Sequence, residues 1–333
     1  MKKIAVFTSG TDAPGMNACI RAAVRSANYY GLKTYGILRG YEGMINGDII
    51  EMDDLSVSNI IQKGGTILKC SGSSAFKTKE GRLKAYENLK EHGIDGLIAI
   101  GGNGTFKGAE VFYNEFKVPC VGIPATIDNN LVGTDFTIGY DTAVNTALNA
   151  IDRLRDTADS HERVFFIEVM GRDTGFIAIW SAIAGGADLA ILPERKKSIH
   201  EIAQIFKHNP KNTSPSHIII VAEETDVNRA QVVADEVQKF LPELDTRVST
   251  LGHIQRGGEP SAADRVLACQ LGLGAVEGLL SGKKNDMVGI INENIHYTPF
   301  SICTTKKKPI KKEILKMIDI LSGKHHSYSL NVN

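Results

Sequence analysis

Val121-Gly-Ile-Pro-Ala-Thr-Ile-Asp-Asn-Asn130 joins an apolar run to a cluster of polar side chains. The run, from Pro119 to Ile123, reads as a buried strand that stops at Pro124. Thr126, Asp128 and two amides follow at once. Open α/β sheets place their chemistry at the carboxyl ends of buried strands. Asp128 is therefore read as a proton acceptor. Asn130 is out of keeping, because a second carboxylate there would better suit a metal-dependent phosphoryl transfer.

The same alternation extends outward. Lys3 to Thr8 reads as a strand, Ser9 to Gly15 as its turn, and Met16 to Tyr30 as a helix with Arg21 and Arg25 on one face. Thr34 to Leu38 is a second strand, with Arg39-Gly-Tyr-Glu-Gly43 as its loop. Gly64 to Ser74 is rich in small residues and reads as mobile; Gly81 to His92 reads as a charged helix. Gly96 to Ile100 is a strand ending in Gly101-Gly-Asn-Gly-Thr105, with a helix to Phe116. Beyond the opening stretch, Tyr140 to Thr157 is a helix. Val164 to Val169, Ala187 to Leu192, Ile218 to Ala222 and Met287 to Ile291 are strands. Lys207 to Ser216 reads as an exposed connection and Ser327 to Asn333 as a frayed tail. Strands alternating with helices predict an α/β fold, a parallel sheet covered on both faces.

At 333 residues the chain has room for about two domains. Lysine plus arginine and aspartate plus glutamate each number 38, so composition makes no electrostatic case for nucleic acid or an anionic membrane. No stretch approaches the ~20 apolar residues of a membrane span. The N-terminus enters a strand directly, without the pattern of a signal peptide, so a cytoplasmic location is expected. Cys19, Cys70, Cys120, Cys269 and Cys303 form no CxxC pair and read as reduced thiols.

Two Gly-rich loops follow apolar strands, Gly10 to Gly15 and Gly101 to Gly104. Each is either a plain turn or a cradle whose backbone N–H groups approach a phosphate. Neither spells the GxxxxGK[ST] or GxGxxG motif. Arg163, Arg172, Arg247 and Arg256 stand beside strand ends or turns, as surface ion pairs or as a set converging on a sugar phosphate. His253, in a Gly-flanked segment, is a structural residue or a ligand contact. The basic run Thr304 to Lys312 is a solvated approach to the last helix or an anion site. No HExxH and no nucleophile elbow is present.

Six segments in order then carry a resemblance: Thr8 to Asn17, Ile123 to Asn130, Gly133 to Gly139, Ile151 to Thr157, Glu168 to Arg172, and Leu251 to Gly258. Together they resemble the bacterial ATP-dependent 6-phosphofructokinases, from Lys3 to about Ile320. The resemblance implies two Rossmann-like domains in the phosphofructokinase fold. Residues 1–139 with 253–302 would form the larger, nucleotide-side domain. Residues 140–252 with 303–325 would form the smaller, sugar-phosphate-side domain, and 326–333 a tail. It implies transfer of the ATP γ-phosphoryl group to fructose 6-phosphate with Mg²⁺, in glycolysis, by a homotetramer. Asp128 would be the base, aided by Thr126, and Arg172 would stabilise the transferring group. Met170, Gly171, Arg172, Glu223, His253 and Arg256 would bind the sugar phosphate, with Arg163 and Arg247 reaching it from a neighbouring subunit. Gly10, Thr11, Tyr41, Gly72, Gly102, Asn103, Gly104 and Thr105 would line the nucleotide, Asn103 at the metal position. Arg21, Arg25, Asp54, Arg155, Gly186 and Asp188 fall at the site that in the family takes ADP or phosphoenolpyruvate.

The departures lie on the donor side. Thr11 replaces a glycine, Gly72 an arginine, Asn103 the metal carboxylate and Asn130 a second carboxylate. Gly104 and Ala125 are the residues expected of an ATP user rather than a pyrophosphate user. In the effector set Asp54 replaces an arginine, which implies weakened or changed control; the family's lysine near Lys211 has no secure counterpart. The expectation is an ATP-dependent 6-phosphofructokinase, with weakened turnover. The alternative is a catalytically impaired sugar-phosphate-binding paralogue that serves as a regulatory or structural subunit, alone or with an active homologue.

Overall fold

The structure is a computed structural model that describes residues 1–207, 216–225 and 227–321. The expected connection over Lys207 to Ser216 falls largely outside them, as do Lys211 and the expected tail. The chain divides into two compact units, Met1–Thr142 with Arg256–Lys308, and Ala143–Gln255 with the chain from Pro309 onward.

In the first unit β1 (Lys3–Ser9), α1 (Met16–Tyr29), β2 (Lys33–Ile37), α2 (Gly40–Asn46), β3 (Ile49–Met52), α3 (Lys79–His92), β4 (Gly96–Gly101), α4 (Asn103–Phe116) and β5 (Cys120–Pro124) follow one another. Next come α5 (Tyr140–His161), which opens in this unit and runs into the second, then β6 (Val164–Val169), α6 (Phe176–Ala184), β7 (Leu189–Ile191), α7 (Ile199–Lys207), β8 (His217–Ala222), α8 (Arg229–Phe240) and β9 (Thr246–Thr250). The chain then returns to the first unit with α9 (Ala262–Leu280), β10 (Asp286–Ile291), β11 (Asn294–Pro299) and α10 (Phe300–Cys303), and α11 (Lys312–Leu321) belongs to the second.

The first sheet has seven strands in the order β11-β10-β5-β4-β1-β2-β3. Five are mutually parallel; the edge strands β3 and β11 are antiparallel. Every residue of β4 and β5 is buried, as continuous apolar strands require when helices cover both faces. Close approaches fix the glycines. A Cβ at Gly122 would fall 2.5 Å from Phe106 and 2.6 Å from Phe300, whose rings stack 5.1 Å apart. A Cβ at Gly272 of α9 would meet Ala22 of α1 at 2.6 Å, so this glycine lets the two helices pack against each other. The second sheet is wholly parallel, in the order β7-β8-β6-β9.

Two expectations need correction. Arg39 to Gly43 is not a loop: α2 begins at Gly40, and Gly43 is required because a Cβ there would lie 1.6 Å from the Leu38 carbonyl. Gly64 to Lys69 is not loosely held. The Asn17 amide donates to the Lys63 and Gly64 carbonyls at 3.1 Å and accepts from Ile67 at 2.8 Å. The Thr8 hydroxyl donates to Lys69 at 2.8 Å, and Leu68 is buried.

Candidate active site

In the first unit β1, β4 and β5 end in one row, because Ser9 pairs with Gly101 and Gly101 with Pro124. The chain leaves β1 toward β2 on one side, then crosses to β4 on the other, so the strand order reverses between β1 and β4. A crevice opens at such a reversal, outside the carboxyl ends of the strands. Gly10 and Thr11, Gly102 to Thr105, and Thr126 with Asp128 all issue from this row.

Asp128 is 4% exposed, and its Oδ2 accepts from the Thr126 hydroxyl at 3.3 Å. The loop behind it is laced. Thr137 donates its hydroxyl to the Thr126 carbonyl at 2.5 Å and its amide to Asn129 Oδ1 at 3.1 Å. Lys308 donates to Asn129 Oδ1 at 3.0 Å and to the Asp135 carbonyl at 2.7 Å. Asn129 holds a left-handed backbone, φ 49°.

On the Gly-rich side, Thr105 is buried and donates its hydroxyl to the Ser9 carbonyl at 3.0 Å, binding the first turn of α4 to the end of β1. A Cβ at Gly101 would meet that hydroxyl at 2.3 Å, so only glycine fits. Tyr41 is buried, stacked on Phe76 with centroids 4.0 Å apart, and its hydroxyl donates to the Thr105 carbonyl at 2.6 Å. Burial drives its pKa up, so the phenol stays a donor. Asn103 is exposed, and its Nδ2 donates to the Thr304 carbonyl at 3.3 Å. A Cβ at Gly104 or Gly72 would meet nothing within 4 Å, so both positions border open space.

The second unit repeats the device. Its order reverses between β6 and β9, where Met170 to Arg172 leave β6 and Leu251 to Gln255 leave β9. Glu223 follows β8, the other neighbour of β6, and its amide donates to Val169 at 2.8 Å. Gly171 is obligatory, since a Cβ there would meet the Thr174 carbonyl at 2.1 Å. Arg172 and Asp173 both hold left-handed backbone, φ 46° and 65°. Asp173 accepts from the Thr225 amide at 3.1 Å and hydroxyl at 2.8 Å, which ties this turn to the one after β8. His253 is exposed. Arg256, where the chain re-enters the first unit, has its Nη1 buried without a hydrogen-bond partner among the described residues.

Arg163 and Arg247 are not brought to this edge. Arg163 precedes β6 and Arg247 is the second residue of β9, so both lie at the amino ends of strands whose carboxyl ends carry Met170 and His253. Both pair with Asp245. In the effector set, Arg155 donates to the carbonyls of Gly185 and Gly186. Asp188 accepts from the Ile218 amide at 2.8 Å and stands 3.2 Å from His217. Asp54 accepts from Asn28 at 3.2 Å; Arg21 and Arg25 lie on α1 in the first unit.

Sequence reasoning passed over three residues that fix the candidate side chains or their loops. Asp245 gathers the two arginines. Gln255, wholly buried, accepts from the Met170 amide at 3.3 Å and donates to the Gly252 carbonyl at 3.0 Å, joining the two loops of the second unit. Asp264 receives Gly139 and Thr142. Only Asp264 had a local signal, the Ser261-Ala-Ala-Asp264 pattern of a capped helix start. Among the described residues no helix is long and apolar enough to cross a membrane.

Known proteins resemble this chain over nearly its whole length. The phosphofructokinase family profile matches residues 3–279. A Cytophaga hutchinsonii protein named ATP-dependent 6-phosphofructokinase is 62% identical over 326 residues, 98% of this chain and 99% of its own. ATP-dependent 6-phosphofructokinase 1 of Thermus thermophilus is 49% identical over 322 residues, 97% of this chain and 100% of its own. The solved Saccharomyces cerevisiae phosphofructokinase superposes with a TM-score of 0.87 at 33% identity, over 97% of this chain and 47% of that one. This chain thus spans about half the length of the yeast chain. On the family profile and on identity over nearly its whole length, the chain belongs to the phosphofructokinase family.

Proposed function

We propose that this protein is a cytoplasmic ATP-dependent 6-phosphofructokinase, transferring the γ-phosphoryl group of ATP to fructose 6-phosphate. The observation that carries the reading is the row of strand ends in which Ser9, Gly101 and Pro124 align, setting two Gly-rich loops beside Asp128. Phosphoryl transfer needs little covalent chemistry from the protein; it needs positioning, charge stabilisation and a group to accept the hydroxyl proton.

Asp128 would take the proton of the attacking hydroxyl. A carboxylate oxygen is a suitable general base for a hydroxyl proton. Thr126 would hold Oδ2 in place. Gly10 and Gly102 to Thr105 would pass the donor phosphates along backbone N–H groups, and the open space at Gly104 leaves room for a nucleotide. Arg172 would meet charge on the transferring group, and Nη1 of Arg256, buried and without a partner among the described residues, suits a phosphate oxygen, with Met170, Gly171, Glu223 and His253 completing the acceptor contacts. Arg163 and Arg247 would serve the site of a second copy, because they sit at the opposite strand ends of their own sheet. A homotetramer is the expected assembly.

The residues fit Mg²⁺ modestly. Donation from Asn103 Nδ2 to Thr304 leaves Oδ1 as the acceptor, a hard oxygen able to hold a metal-bound water but without charge. When bound, Mg²⁺ would neutralise charge on the donor phosphates. The effector residues Arg21, Arg25, Arg155, Gly186 and Asp188 would form a phosphate-binding set whose response Asp54 changes. Nothing among the described residues favours the impaired-paralogue reading.

The test is direct. Purified protein is given ATP, Mg²⁺ and fructose 6-phosphate, and the product is identified by phosphorus NMR. Fructose 1,6-bisphosphate with ADP is the expected result; turnover with pyrophosphate but not with ATP would overturn the donor assignment.

A further inference from the structure

Asp264 is 1% exposed and lies in the first turn of α9, where its amide donates to the capping Ser261 hydroxyl at 3.2 Å. Its carboxylate hydrogen-bonds outside that helix. Oδ1 accepts from the Gly139 amide at 2.8 Å, and Oδ2 accepts from Thr142, through the amide at 2.8 Å and the hydroxyl at 2.5 Å. Burial raises its pKa, against these donors, which favour the ionised form. A carboxylate buried this fully is costly unless it is well paired. This one is spent on the far end of the loop that starts at Asp128.

From there a hydrogen-bonded path runs back. Gly139 has φ 96°, and a Cβ on it would meet Ala13 at 2.7 Å, so the backbone passes through a tight point. The Ile138 amide donates to the Pro124 carbonyl at 3.0 Å, laying the returning chain alongside the end of β5. Thr137 then holds Asn129 through its amide and Thr126 through its hydroxyl. The Thr126 hydroxyl donates to Asp128.

We infer that Asp264 is a positioning residue which sets the geometry of the Thr126–Asp128 turn by clamping the loop at Gly139 and Thr142. The inference rests on the reading of Asp128 as the base. An asparagine at 264 has one acceptor oxygen and must turn its NH₂ toward one of the two backbone amides, so the clamp cannot close on both. Displacement of a reacting group by about 1 Å costs up to about a hundredfold in rate.

The experiment compares wild type, Asp264→Asn, Thr137→Val and the double variant. Expected are a fall in kcat of at least about tenfold in each single variant, a KM for fructose 6-phosphate within about twofold of wild type, and a double variant no slower than the worse single one. Independent structural damage would instead multiply the two losses. Hydrogen exchange is read in parallel: amides of residues 126–142 are expected to exchange at least about tenfold faster in Asp264→Asn, with β1 and β2 as protected as in wild type. Unchanged protection over 126–142, or multiplicative losses in kcat, overturns the inference. A wild type without turnover counts against the proposed function alone, and the exchange measurement then decides the inference.

Discussion

Arg163 donates through Nε to Asp245 at 2.7 Å, and the same carboxylate pairs with Arg247. The hydrogen bond from Arg163, then the charge of Arg247, holds the Asp245 carboxyl below the usual aspartate range. Neighbouring strands β6 and β9 place the three residues together, with Val164 opposite Thr246. Two guanidiniums fixed by one acid form a ready anion site, with donors left over on each. Asp245→Asn should raise the KM for fructose 6-phosphate about three- to tenfold and leave kcat within about twofold, by steady-state kinetics. Because the carboxyl is pulled down, it stays ionised above the reference value of about 4, so the KM difference should hold constant between about pH 6 and 9.

Gly104 tests which donor is used. A Cβ there meets nothing within 4 Å, so Gly104→Asp adds bulk and charge to open space without disturbing the fold. The KM for ATP should rise at least about tenfold at unchanged Tm. An unchanged KM would mean that the nucleotide does not pass this position.

Gly72 and Asn103 test whether the donor side is short of charge. Gly72 also borders open space, so an arginine is admitted sterically. Arginines that meet transferring phosphoryl groups are worth about 10³ to 10⁵ in rate elsewhere. Gly72→Arg with Asn103→Asp should raise kcat at least about tenfold and lower the Mg²⁺ needed for half-maximal rate. No gain, with the fold intact, would show that other groups already do this work.

Arg82 supplies a pH-dependent tie. It holds Glu115 with two bonds, 2.6 and 2.7 Å, and donates to the Phe76 and Lys77 carbonyls at 3.0 and 2.9 Å. It thereby joins α3, α4 and the turn that follows Gly72. The bond from Arg82 holds the Glu115 carboxyl below the usual glutamate range. A carboxyl lowered on folding contributes stability that is present above its unfolded value of about 4.3 and is lost as pH falls through the folded value. Glu115→Gln should therefore lower Tm at pH 7, and the difference should shrink below about pH 4.

The interior of the fold was legible because its strands are continuous apolar runs: β1, β4, β5 and β6 announce themselves, and their loops carry the quoted motifs. The edges were not. β3 and β9 are half-exposed and carry no strong period; β3 takes its register from β2, where Lys33 pairs with Glu51 at 2.7 Å. α2 was hidden by Gly40 and Gly43, which read as loop residues but are there for close backbone contacts. In the candidate site, residues that would touch ligand could be named from motifs. Those that hold them could not: Asp264 reaches residues 125 and 122 positions away, and Gln255 reaches Met170 across 85. Such partners exist only once the sheets are assembled.

The central claim is that Asp128 accepts the proton in ATP-dependent phosphorylation of fructose 6-phosphate. Asp128→Asn keeps the size of the side chain and an oxygen for the Thr126 hydroxyl, and removes the base. The measurement is kcat with saturating ATP, Mg²⁺ and fructose 6-phosphate, with Tm and sugar-phosphate affinity as controls. A fall of about 10² to 10⁴ in kcat at unchanged Tm and affinity is predicted; a variant within about threefold of wild type would contradict the account.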